Sequence, residues 1–280
     1  MREISVRTLS EAVAAAVTEI NYVLSADVTG AIRRARLNER SDVACDVLDQ
    51  IEENLATAKA EQIPICQDTG MAVVFLEVGQ EVHFTGGELY AAVNEGVRKG
   101  YVEGYLRKSV VSDPIDRVNT GDNTPAVIHT DIVPGDRVKV TVSAKGFGSE
   151  NKSRLFMLNP SDGEEGVKAA VLTSVREAGA SACPPMTVGV GIGGNFEKCA
   201  VMAKHALLRG AGEKSENERD ARLERELLDK INKTGIGPAG LGGDTTALSV
   251  NVETYPTHIA GLPVAVNICC HVNRHKTIVI

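Results

Sequence analysis

The chain contains no tryptophan, and aromatic residues make up only 4% of it. The missing tryptophan has no functional meaning of its own, but other absences do. No apolar run is long enough to cross a bilayer, and the opening Met1-Arg2-Glu3-Ile4-Ser5 lacks the hydrophobic core of a signal peptide. A cytoplasmic location without a membrane partner is therefore expected. There is no basic surplus either: a formal net charge of -7 and a pI near 5.5 argue against nucleic acid, whose phosphates need concentrated positive charge. A small anionic substrate remains compatible, because one or two local Arg or Lys residues and backbone N-H groups can hold it. Finally, no two cysteines form the short knuckle from which a structural zinc site usually draws its thiolates.

What is present is enough apolar residue, 43% of 280, to bury a substantial core without metal or disulfide staples. Leu9, Val13, Ala16, Val17, Ile20 and Val23 share one helical face, as do Ala44, Val47, Leu48, Ile51 and Leu55. Met71 to Val78 has the composition of a buried strand. A helix follows Thr85-Gly86-Gly87 through Val97, and Asp113 to Pro125 forms a loop. Arg137 to Ala144 alternates as a half-buried strand. Helices are expected over Glu164 to Ala178, Phe196 to Leu208 and Glu216 to Lys233, with strands at Thr187 to Ile192, Ala247 to Val252, Pro263 to Ile268 and Thr277 to Ile280. The irregular Gly235 to Gly243 stretch is the kind of long loop that carries function. The expected architecture is α+β, with sheets flanked by helices in one domain over 1–280 and a helical N-terminal subregion over 1–60.

Six cysteines without a secretory signal are more consistent with thiols or metal ligands than with a disulfide framework. Cys66 stands in Pro64-Ile65-Cys66-Gln67-Asp68-Thr69-Gly70, where Gln67 and Asp68 would be poor core residues. Cys183 precedes two prolines that stiffen the backbone. Cys269 and Cys270 are adjacent, so on a strand they face opposite ways and only one can reach a given site. Cys45 and Cys199 lie in helical patterns and are expected in the core. Three distant thiolates in polar, turn-rich settings suit an iron-sulfur cluster with one iron lacking a protein ligand. Gly189-Val190-Gly191-Ile192-Gly193-Gly194 fits a dinucleotide fingerprint, but the second strand that such a unit needs does not follow its helix.

Cys66-Gln67-Asp68-Thr69-Gly70, Lys145-Gly146-Phe147-Gly148-Ser149-Glu150-Asn151-Lys152, Ala182-Cys183-Pro184-Pro185 and Gly235-Ile236-Gly237-Pro238 to Gly243 recur in an order that resembles the class I fumarate hydratases. The likeness is greatest to the alpha subunit of the two-chain form, a family that includes L-tartrate dehydratase, and it runs from about the first helix to the C-terminus. It implies a 4Fe-4S cluster on Cys66, Cys183 and Cys270, the last selected because the family's third ligand stands just before the position of His271. It further implies catalytic roles for Asp68 and His258, and substrate contacts from Gln67, Arg107 and Gly148. Taken by themselves, these residues have plainer alternatives: a turn-capping aspartate for Asp68, a surface salt bridge for Arg107, a structural histidine for His258. The expected activity is reversible hydration of fumarate to (S)-malate. L-tartrate dehydration and a non-catalytic metal-binding scaffold are the alternatives. Single-chain members continue well beyond the last ligand, so a separate beta subunit in an alpha2beta2 assembly is the expected partner.

Overall fold

A computed structural model describes all residues, 1–280. Its elements are α+β in kind, as expected, and they divide into two compact units. The first unit comprises Met1–Ser25, Leu55–Phe147 and Arg274–Ile280, and the second Ala26–Asn54 and Gly148–Asn273. The helices expected over 1–60 all form, but they are distributed. Helix α1 (Val6–Tyr22) belongs to the first unit, while α2 (Ala26–Asn38) and most of α3 (Asp42–Glu61) belong to the second.

In the first unit, strands β1 (Arg2–Ser5) and β3 (Val82–Thr85) form a parallel pair. The main sheet has the order β10-β5-β2-β4, built from β2 (Met71–Gly79), β4 (Val127–Val133), β5 (Val138–Lys145) and β10 (His275–Val279). Strand β2 is central, antiparallel to β5 and parallel to β4. Its Ala72 to Leu76 run is buried without alternation, as a strand covered on both faces should be. Helices α1 and α4 (Leu89–Glu103) contribute Leu9, Val13, Val17, Val93, Val97 and Tyr101 to the core beneath Val74, Val140 and Val142. They approach closely because α4 offers bare backbone: a Cβ at Gly96 would stand 2.5 Å from the Ser10 carbonyl oxygen, and one at Gly100 would stand 2.8 Å from that of Ala14.

The second unit has a sheet of order β6-β9-β7-β8, formed by β6 (Arg154–Leu158), β7 (Met186–Gly193), β8 (Ala247–Tyr255) and β9 (Leu262–Cys269). Strand β7 runs parallel to β8 and antiparallel to β9. Helices α6 (Gly163–Ala178) and α8 (Glu218–Asn232) pack their Val171, Val175, Leu223, Leu227 and Ile231 against Val188, Val190, Val266 and Ile268. Helix α7 (Phe196–Ala206) contacts β7 and β9. The glycines of the fingerprint serve this packing: a Cβ at Gly189 or Gly191 would lie 2.1 Å from the carbonyl oxygen of Ala203 or Cys199. The short helix α5 (Phe147–Glu150) follows β5. Helix α2 and strands β4 and β6 are not apparent from periodicity; β4 and β6 are largely half-exposed, and two of the four buried positions of α2 are alanines.

Candidate active site

In the first unit, the candidate residues gather around the loop that enters β2. Cys66 is half-buried there, and its Sγ accepts the Asp68 N-H at 3.4 Å. The Asp68 carboxylate is held at both oxygens: Oδ1 accepts the Gly70 N-H at 3.0 Å and Oδ2 the Phe147 N-H at 2.8 Å. It thus caps a turn, as its plain reading anticipates, and also binds the Lys145–Lys152 motif. Gly70 has φ +77, and a Cβ there would lie 2.7 Å from the Lys145 carbonyl carbon, so only glycine lets the two backbones meet.

Buried groups lock this loop from behind. The Tyr101 hydroxyl donates to the carbonyls of Thr69 (2.7 Å) and Gly70 (2.9 Å), and burial pushes its phenol well above the ordinary range, so it remains a donor. Asn123 donates to the Gly70 carbonyl at 3.0 Å and accepts the N-H groups of Ser109 and Val110. Thr69 Oγ1 donates to the Arg107 carbonyl at 3.0 Å, which ties the segment bearing Arg107 to the loop. Gln67 and Arg107 are exposed, and the Arg107 guanidinium forms no salt bridge. Arg274, only 3% exposed, donates from Nε to the Ala144 carbonyl at 3.1 Å and from Nη2 to that of Asp68.

The second unit brings Cys183, Cys270 and Gly148 to one end of its sheet. Cys183 is exposed and left-handed, with φ 51 and ψ 62, where the turn Gly179–Ala182 ends. Its carbonyl faces both the backbone N-H of His271, at 3.3 Å, and His271 Nδ1, at 3.0 Å. The residue after Cys270 therefore clasps the Cys183 turn. The position of a Gly148 Cβ meets nothing nearer than the Ser181 carbonyl oxygen at 4.0 Å, leaving that backbone open. The Gly235–Gly243 loop buttresses the turn, since the Ala239 N-H donates to the Pro184 carbonyl at 2.9 Å. Glu39, 8% exposed, holds the loop's end by accepting the N-H groups of Asp244 and Thr245. Burial would raise the Glu39 carboxyl, but these backbone donors, with those of Ser41 and Arg40, hold it below the usual range. Within the Lys145–Lys152 motif, Glu150 pairs with Lys204 at 2.5 Å and accepts from Asn267, three residues before Cys270.

His258 is elsewhere. It is exposed, in the turn between β8 and β9, and lines a cleft of about 450 Å³ with Arg219, Tyr255 and Leu262. Because β7 and β8 are parallel, the segment following β8 emerges at the end of the sheet opposite Cys183. Eight residues of β7 separate the two, about 25 Å. Within its unit, His258 does not join Cys183 and Cys270, contrary to the sequence expectation.

The other cysteines sort by burial. Cys199 and Cys269 are buried, and burial pushes the Cys199 thiol up. Cys45 is only half-buried, with Sγ 3.7 Å from the Glu39 carbonyl oxygen, so it is less enclosed than its helical pattern implies. No disulfide forms. No three His, Cys, Asp or Glu side chains converge as ligands of a single metal ion, and no helix is long and apolar enough to cross a membrane.

These motifs in this order can be set against known proteins. A family model described as "Fumarate hydratase (Fumerase)" matches residues 10–279. The chain belongs to the fumarate hydratase family. A Methanocaldococcus jannaschii protein provisionally named L(+)-tartrate dehydratase subunit alpha is 41% identical over 272 residues, covering 95% of each chain. The L(+)-tartrate dehydratase subunit alpha of Escherichia coli strain K12 is 32% identical over 280 residues, covering 99% of this chain and 92% of that one. That of Escherichia coli strain UTI89 is 33% identical over 278 residues, covering 98% and 91%. Residues such as Tyr101, Asn123, Glu39 and Arg274 escape sequence reasoning, because each acts on a segment distant in the chain and carries no local pattern.

Proposed function

We propose that this chain is the cluster-holding alpha subunit of a two-chain hydro-lyase for a small dicarboxylate, with L-tartrate as first substrate and fumarate with (S)-malate as second. The relatives' printed names support tartrate first, which reverses the order expected from sequence. The observation that carries the chemistry is the Asp68 carboxylate, fixed at both oxygens by the Gly70 and Phe147 N-H groups in the same loop whose Asp68 N-H donates to the Cys66 sulfur.

The donor set fits a 4Fe-4S cluster on Cys66, Cys183 and Cys270. All three stand in turns or at a strand end outside the core, unlike Cys199 and Cys269, and Cys66 Sγ already accepts a backbone N-H, the kind of bond that tunes cluster sulfur. When bound, the cluster supplies a Lewis acid at its iron without a protein ligand, which polarises substrate oxygen. The protein's own residues do the rest. Arg107, without a competing carboxylate, pairs a substrate carboxylate through its planar fork, and Gln67 adds a hydrogen bond. A carboxylate offers about four lone-pair sites; two on Asp68 are taken by N-H groups, so both oxygens stay oriented and each retains capacity for a substrate proton. Negative charge that grows on the substrate carboxylate as the neighbouring C-H ionises is stabilised by Arg107 and the Gly148 N-H.

The fumarate reading keeps its place because Gln67, Arg107 and Gly148 serve groups that malate and tartrate share. Discrimination then rests on the second hydroxyl, and a site that hydrogen-bonds it rejects the analogue lacking it by a factor of about 10⁴. The relatives' names as alpha subunits support a separate beta subunit, which we place in an alpha2beta2 assembly. The test is anaerobic assembly with that partner, iron and sulfide analysis, and kcat/KM for L-tartrate and (S)-malate. A preference for L-tartrate supports the first reading and a preference for (S)-malate the second. Turnover of neither overturns both and leaves a non-catalytic scaffold.

A further inference from the structure

We infer that Arg274 is the positioning residue that holds Asp68 in its working orientation. This rests on the proposed acid/base role of Asp68. Arg274 opens the last segment of the first unit, four residues after Cys270, and nothing in its sequence context singles it out. Its guanidinium is buried yet pairs with no carboxylate; its donors go to the carbonyls of Ala144 and Asp68. Nη1 is buried without a partner. An uncompensated buried cation is costly, so its retention needs a reason beyond packing.

The reason lies in which carbonyls it bridges. One belongs to Asp68 itself, and the other to the residue that precedes Lys145-Gly146-Phe147. These are the two segments that the Asp68 carboxylate joins by accepting the Phe147 N-H. Guanidinium and carboxylate flank Gly146, where a Cβ would stand 3.1 Å from Asp68 Oδ2 and 4.0 Å from Arg274 Nη2. With its carbonyl held, Asp68 cannot rotate its backbone, and its side chain keeps one direction. The backbone of Arg274 is anchored in turn: its carbonyl accepts Ser143 Oγ at 3.2 Å and the Ala144 N-H at 3.4 Å. Two carbonyls on different segments require a planar fork with separate donors, which arginine has and lysine lacks.

The test compares Arg274→Lys and Arg274→Ala with wild type, each as full chain assembled with its partner and loaded with iron and sulfide. Arg274→Lys should lower kcat by about tenfold or more, with KM within twofold and iron, sulfide and Tm near wild type. Amide hydrogen exchange at Gly70 and Phe147, measured without substrate, should accelerate in both variants. Guanidinium ion should restore part of the Arg274→Ala rate. A raised KM with kcat preserved would make Arg274 a substrate ligand instead and overturn the inference. So would unchanged exchange, or loss of activity only in proportion to lost iron or folded protein. The exchange readout needs no turnover: if wild type acts on neither dicarboxylate but exchange still accelerates, the proposed function fails while the hold of Arg274 on Asp68 stands.

Discussion

Asp68 Oδ2 accepts the backbone N-H of Phe147 at 2.8 Å, across 79 residues of sequence. One carboxylate thus does two jobs: it caps its own turn through the Gly70 N-H and joins two motif loops through the Phe147 N-H.

That double duty shapes the outcome of Asp68→Asn. The amide keeps the shape but offers only one acceptor oxygen for two N-H donors, and it removes the charge. We expect kcat to fall by about a hundredfold or more while the cluster's visible absorption stays. Thermal melting of the same sample separates the lost base from a loosened loop: a large drop in Tm with a kcat near wild type would assign Asp68 to structure alone.

The cysteines divide by environment. Serine at Cys66, Cys183 or Cys270 should abolish iron and sulfide binding after anaerobic reconstitution, whereas Cys45→Ala and Cys199→Ala should retain it. Cys269→Ala, at a buried position, should lower stability by about 1–2 kcal/mol and keep the cluster. Iron and sulfide per chain decide each case.

Gly70→Ala should be among the most damaging small substitutions in the first unit. It forces a side chain into φ +77 and against the Lys145 backbone at 2.7 Å, costing about 2–4 kcal/mol. Denaturant unfolding measures it, and a cost below about 0.5 kcal/mol would show that the loop simply relaxes.

Acid should loosen the packing of α6 against α8. Hydrogen bonds from Arg222 and then Lys168 hold the Glu164 carboxyl down at about 2, and Lys168 also holds Glu226 below the usual range. A carboxyl depressed on folding contributes stability that is complete above its unfolded value and is lost as pH falls through the folded one. The loss should therefore run from about pH 4.5 down to about 2. Glu164→Gln should flatten the stability profile across that window in a circular-dichroism titration; an unchanged profile would remove Glu164 from the acid response.

Turnover should require the partner. The isolated chain, loaded with iron and sulfide, should show little activity toward either dicarboxylate, and adding the beta subunit should restore it. Full kcat from the isolated chain would refute the two-chain reading.

Much of this was legible in sequence. The periodicity of α1, α6 and α8 and the apolar run of β2 are properties of neighbouring residues, and so are the cysteine-bearing turns, whose glycines and prolines act within a few positions. Alternation along a strand allowed only one of Cys269 and Cys270 to leave the core, and the resemblance named Cys270. Tertiary structure buried Cys269 and left Cys270 half-buried. It also distributed the N-terminal helices between two units, put Tyr101, Asn123 and Arg274 behind Asp68, set Glu39 on the glycine-rich loop, and sent His258 to the far end of its sheet. Those outcomes depend on which strands pair and in which direction. Such pairing is settled by contacts between segments scores of residues apart, where local periodicity carries no information.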